Sequence, residues 1–82
     1  MSEFHLRIAT PEKKLFDGEV VYCSLTTSEG RMGIKARHEP FLATLKDGSE
    51  LLYRLKDGRE NTVTVQNAIL SFKDNSCSVT MA

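Results

Sequence analysis

The sequence predicts an all-β fold, an antiparallel β-sandwich or flattened barrel of about ten short strands in two sheets. Three observations predict it. Apolar and polar side chains alternate with period two in several short runs, and Asp-Gly or similar turn pairs separate those runs. No stretch carries the i, i+3, i+4 spacing of an amphipathic helix.

The elements follow in chain order. In "EFHLRIA", Phe4, Leu6 and Ile8 point one way and His5 and Arg7 the other, as a half-buried strand requires. "EVVYCSLTT" repeats the alternation, with Val21, Cys23 and Leu25 against Val20, Tyr22 and Ser24, and is expected to be one strand covered on both faces. In "SEGRMGIKARHEPFL", Gly30 and Gly33 mark a tight hairpin, since glycine supplies the backbone freedom a turn needs. Met32 is expected near its tip, exposed, where an adaptable apolar side chain suits a contact surface. Asp-Gly pairs stand at 17–18, 47–48 and 57–58. The third lies between two strand-like runs in "LLYRLKDGRENTVTV" and marks a hairpin, because glycine adopts positive φ freely and Asp tolerates it. The strand after it buries Val63 and Val65. "KDNS" then turns the chain into a last strand that buries Cys77, Val79 and Met81. No linker, repeat or low-complexity tract divides the chain, so residues 1–82 form one domain.

Size and composition narrow the function. The chain has 82 residues, and a domain of that size buries only about 60% of its unfolded surface, which leaves little room for a deep cleft. Lys plus Arg and Asp plus Glu both number 11, so the charge excess of a nucleic-acid binder is missing. No apolar run approaches the length of a membrane span, and "MSEFHLRI" lacks the basic and apolar regions of a secretory signal. Two cysteines without a CxxC spacing suit neither a disulfide scaffold nor a zinc site. Charged residues at 27% and hydrophobic ones at 40% fit a soluble domain, expected to be monomeric when isolated.

Candidate chemistry is sparse. A nucleophile needs a base within hydrogen-bond reach and a third group to orient that base, and neither Cys23 nor His38 with Glu39 comes with such a trio. Cys23 alternates with Val21 and Leu25 as a core residue would. His5 falls on the polar face of the first strand, and two well-separated histidines make a poor metal site. Gly30 and Gly33 lack the Gly-Lys-Ser/Thr that opens a phosphate-binding helix. No catalytic residue, cofactor or metal is expected.

Thr10-Pro11-Glu12, Leu15-Phe16, Gly18-Glu19-Val20, Ser28-Glu29-Gly30, Met32-Gly33-Ile34, His38 and Pro40, in that order, resemble the N-terminal domain of the epsilon subunit of F-type ATP synthases, the delta subunit in mitochondria. The likeness runs nearly end to end. It implies a ten-stranded β-sandwich without an active site, seated at the foot of the central stalk. Such a domain grips the gamma subunit and the polar loops of the membrane c-ring, and helps pass ion-driven rotation to catalytic sites elsewhere. Carried over by position, Ser28, Glu29, Gly30, Arg31 and Met32 would meet the c-ring, while His38, with Thr10 and Ala43 nearby, would face gamma. The implied place is the cytoplasmic face of a bacterial inner membrane, peripheral and without insertion.

Three positions depart from the pattern. Arg31 stands where the family usually has an acid, and is expected to need an acidic or carbonyl-rich partner. "ARHEP" replaces Pro-Gly-His-Ala-Pro, and Asn67-Ala68 replaces Gly-Gly, where Asn still reaches the left-handed conformation. The family's C-terminal helical pair is expected to be absent, the chain being either a natural short form, which its start at Met1 slightly favours, or one cut at the domain boundary. Two rivals remain: an unrelated β-sandwich interaction module, and a small hydrolase using Cys23 or His38.

Overall fold

The computed structural model describes residues 2–82 and shows two packed sheets with no helix among them. The strands are β1 (Phe4–Ala9), β2 (Lys14–Val20), β3 (Tyr22–Thr27), β4 (Gly30–Ile34), β5 (Phe41–Thr44), β6 (Glu50–Arg54), β7 (Glu60–Thr64), β8 (Ala68–Lys73) and β9 (Ser76–Met81). They form a five-stranded sheet in the order β2-β1-β9-β8-β5 and a four-stranded sheet in the order β4-β3-β6-β7. The β-sandwich read from the sequence is therefore the fold, with nine strands among the described residues.

Alternation does what it should. Phe4, Leu6 and Ile8 on β1, Leu70 and Phe72 on β8, and Cys77 and Val79 on β9 all point inward and are buried. From the other sheet Cys23, Leu25, Ile34, Leu51 and Tyr53 meet them. Phe4 and Phe72 pack edge-on with ring centroids 5.6 Å apart, and Phe16 of β2 lies 4.3 Å from Tyr53 of β6, closing one side of the sandwich.

The structure corrects three details. "EVVYCSLTT" is not one strand: Val20 and Val21 are both buried, and the chain turns from one sheet to the other between β2 and β3. Val21 N–H donates to the Arg54 carbonyl at 2.9 Å, so the corner is tied to the second sheet at once. Not every neighbouring pair is antiparallel, since β1 runs parallel to β9, with Leu6 opposite Cys77 and Ile8 opposite Val79. And Asp17-Gly18 is no turn but lies within β2, where a Cβ on Gly18 would come 3.2 Å from Phe16 Cζ.

Turn chemistry fixes the remaining corners. Gly48 and Gly58 have φ of 80° and 95°, in the left-handed region that favours glycine. Asp74 and Asn75, at 53° and 60°, form the two-residue turn between β8 and β9.

Candidate functional site

The β3–β4 hairpin is the first part of the site. Its tip is Ser28-Glu29, and Gly30 begins β4 with φ of 121°, a conformation closed to side chains with a Cβ. Thr27 Oγ1 accepts from Glu29 N–H at 3.1 Å and donates to the Gly30 carbonyl at 3.2 Å, holding the tip in shape.

Two hairpin residues lie otherwise than the sequence suggests. Met32 is not an exposed tip residue; it faces inward opposite Leu25, half-buried against the core. The period of the strand decides this, because Met32 and Ile34 share a face. Arg31 is not free for a distant partner either. Its Nη2 donates to Ser24 Oγ at 2.8 Å and its Nη1 to Thr26 Oγ1 at 3.3 Å, so the guanidinium lies along the outer face of its own sheet. Glu29 is left as the charged group at the hairpin tip.

The second part is β5, the far edge of the five-stranded sheet. An open groove of about 340 Å³ runs between it and the hairpin, lined by Ser28, Glu29 and Met32 on one side and Phe41, Leu42 and Ala43 on the other. Leu42 is 73% exposed and Ile69, on neighbouring β8, is 48% exposed. Large apolar side chains this open are ones a partner can cover.

His38 sits just before β5. Its ring packs 4.8 Å from Phe41 and 5.9 Å from Phe72, and Nδ1–H donates to the Glu39 carbonyl at 2.8 Å. His38 and Ala43 thus flank Phe41 along one edge. Thr10 does not join them: it closes the turn after β1 by binding Lys13, at the end of the sheet away from His38. The register shows this, since Phe41 pairs with Phe72 beside Cys77 and Leu6, while Ala9 pairs with Thr80 near the opposite end. The expectation that Thr10, His38 and Ala43 lie close together is corrected accordingly.

Two of the departures from the family pattern are explained by backbone geometry. Arg37 and Asn67 both have positive φ, 65° and 49°, at positions where the pattern has glycine. Each is held by a distant side chain, Arg37 N–H donating to Asn75 Oδ1 at 2.7 Å and Asn67 N–H to Asp47 Oδ1 at 2.8 Å.

Elsewhere the chemistry is structural. His5 lies between Asp17 and Glu19 on the outer face, with Nε2 2.5 Å from Asp17 Oδ1 and Nδ1 2.8 Å from Glu19 Oε2. Cys23 and Cys77 are free thiols buried in the core. Burial pushes both thiols up, Cys77 to about 12, the opposite of what a nucleophile needs. No group of three His, Cys, Asp or Glu among the described residues is disposed to hold a metal.

Sequence reading missed Phe41, Leu42 and Ile69 as surface features and Asn75 as a tether. The "FL" of "HEPFL" was in view, but an apolar pair of that length says nothing about which side is open.

A helix-free sandwich with an open groove between two strand edges defines a small β-sandwich domain. Comparison with known proteins places it more narrowly. Residues 3–82 match the family model described as "ATP synthase, Delta/Epsilon chain, beta-sandwich domain", and the chain belongs to that family. A curated relative, the ATP synthase epsilon chain of Delftia acidovorans, is 32% identical over 79 residues, covering 96% of this chain and 56% of the relative. The fold also matches a chain in the cryo-EM structure of Euglena gracilis mitochondrial ATP synthase (OSCP, F1 and c-ring). There the TM-score is 0.90 at 18% identity, covering 99% of this chain and 51% of that one. A chain from the central stalk and c-ring of the Tetrahymena thermophila mitochondrial enzyme matches at TM-score 0.74 and 19% identity, with 99% and 65% covered. The chain therefore spans between about half and two thirds of the length of these relatives.

Proposed function

We propose that the chain is a non-catalytic central-stalk subunit of a rotary ATP synthase, part of the rotor, linking the gamma subunit to the polar loops of the membrane c-ring and so coupling ion flow to ATP synthesis. The observation that carries this reading is the family match, which runs over the whole sandwich from residue 3 to 82. The burial of both thiols counts against the hydrolase alternative. An unrelated interaction module would have no reason to share the family's sequence pattern.

On this reading the β3–β4 hairpin meets the c-ring, with Ser28 and Glu29 leading, Gly30 shaping the turn, and Met32 contributing through the groove floor. Arg31 acts indirectly, by stiffening the hairpin. His38 and Ala43, along the β5 edge, meet gamma, and a gamma surface that also reaches Thr10 runs the length of the five-stranded sheet. The complex sits peripherally at the cytoplasmic face of a bacterial inner membrane. No helix among the described residues is long and apolar enough to cross a membrane.

The test is a pair of titrations, one against purified gamma and one against a gamma–ring assembly. The parent chain is expected to bind both, and to bind the assembly more tightly. Glu29→Lys should weaken only the second, and His38→Ala mainly the first. A chain that fails to copurify with gamma at all would overturn the reading.

A further inference from the structure

Three backbone groups from two distant parts of the chain meet at one turn residue. The Asn75 Oδ1 accepts Arg37 N–H at 2.7 Å, its Nδ2 donates to the Glu3 carbonyl at 2.9 Å, and its own carbonyl accepts His5 N–H at 3.2 Å. Arg37 belongs to the loop between β4 and β5, which has no strand ladder to fix its path. Its φ of 65° is disfavoured for any residue with a Cβ, and the bond to Asn75 is what its amide gains there. The next residue is His38, whose ring rests on Phe41 and on Phe72, three residues before Asn75.

We infer that Asn75 is a positioning residue for His38: its amide holds Arg37 in the left-handed conformation and so fixes the direction from which His38 reaches the partner surface. That His38 meets gamma is the reading proposed above, and the present inference rests on it for its binding arm only. Its structural arm concerns this chain alone. The Asp47–Asn67 bond shows the same device at a second left-handed residue, a remote side-chain oxygen accepting the N–H.

Asn75→Gly removes the amide, and with it the bonds to Arg37 and to the Glu3 carbonyl, while glycine suits the φ of 60° at this turn position; rescue by Arg37→Gly separates the two. Arg37→Gly in the same chain supplies a residue that needs no help at positive φ. Three measurements are made on each variant: NMR chemical shifts of the His38 and Phe72 rings, hydrogen exchange at the Arg37 amide, and titration against purified gamma. In Asn75→Gly the Arg37 amide should lose its protection and the His38 ring signals should move away from the aromatic-packed values. Affinity for gamma should fall roughly fivefold, the loss expected when one hydrogen bond no longer selects the competent conformer. In the double variant the His38 signals and most of the affinity should return. Unchanged His38 signals in Asn75→Gly would overturn the inference. So would a loss that Arg37→Gly fails to restore, which would leave Asn75 a turn residue only. If the parent itself does not bind gamma, the partner reading fails, and the ring signals and Arg37 exchange alone decide whether Asn75 sets the position of His38.

Discussion

Arg31 Nη2 donates to Ser24 Oγ at 2.8 Å across the β3–β4 ladder, and Ser24 is only 5% exposed. The bond is therefore part-buried at its serine end, unlike a charge pair on an open rim. Arg31→Met keeps an apolar stem but removes the donor, and should lower stability by about 1–2 kcal/mol, read as a lower urea midpoint with unchanged slope. Repeating the change in a Ser24→Ala chain should lose much less, since the hydroxyl that needed a donor is gone. About 0.5 M salt should leave the difference in place, because screening acts mainly on exposed charges.

Met32→Asp should act first on folding. The side chain faces the core opposite Leu25, so a carboxylate there loses packing and is half-desolvated. A loss of about 2–3 kcal/mol is expected in thermal or denaturant melts, with Met32→Leu close to the parent. The penalty should shrink toward pH 4, where a carboxyl whose pKa is raised by burial becomes neutral. A parent-like melt for Met32→Asp would show that Met32 is solvated after all.

Gly33→Ala should be more harmful than its size suggests. A Cβ at this position would stand 2.6 Å from Tyr22 Oη and 2.9 Å from Tyr22 Cε1. The ring must shift, disturbing the stacking of the Arg54 guanidinium, which lies 5.1 Å from its centroid. A loss of about 1–3 kcal/mol is expected. Tyr22→Leu should relieve most of the added cost of Gly33→Ala, a coupling that a double-mutant cycle in urea measures directly.

The His5 cluster gives stability a defined pH dependence. The hydrogen bond to Glu19, then that to Asp17, raises the His5 pKa above its usual 6.5, against partial desolvation. A group whose folded pKa is raised stabilises fully below its unfolded value, so this contribution is complete below pH 6.5 and is lost as pH rises through the raised value. Asp17 runs the other way: Lys14 and then His5 lower its pKa from 3.8, so its contribution is present above 3.8 and disappears as pH falls below it. The melting temperature should decline as pH rises above 6.5 through the raised His5 value, and His5→Gln should flatten that decline. All three side chains are partly exposed, so the slope is shallow and salt should reduce it.

Legibility varied with the range of the interaction. Strands such as β1 and β9 were plain because the alternation of Phe4, Leu6 and Ile8, or of Cys77, Val79 and Met81, is a local signal of which face is buried. The corner at Val21 was not, since two adjacent valines suit a strand buried on both faces as well as a chain leaving one sheet for another. The parallel neighbour of β1 lies some seventy residues away (Leu6 to Cys77), and no local pattern announces it. At the site, Glu29 stands at the hairpin tip and His38 just ahead of β5, the two places the resemblance singles out for partner contacts. The orientations of Arg31 and Met32 were missed: a charge looks free until the hydroxyls opposite it are known, and the two glycines suggested a tip two residues too late. The tethering of Arg37 by Asn75 joins loops 38 residues apart and is written in neither of them.

Because β1 takes a neighbour from β9, a polypeptide growing on the ribosome presents Phe4, Leu6 and Ile8 with half their sheet still unmade. At roughly 5–20 residues per second, that interval lasts several seconds, during which an apolar strand edge stands open to other nascent chains. The domain has no smaller folded precursor to retreat to, since early partners of β1 supply only one of its two ladders. A message that stops translation before Cys77 therefore yields an aggregation-prone remnant and a substrate for proteases, rather than a shortened but serviceable sandwich.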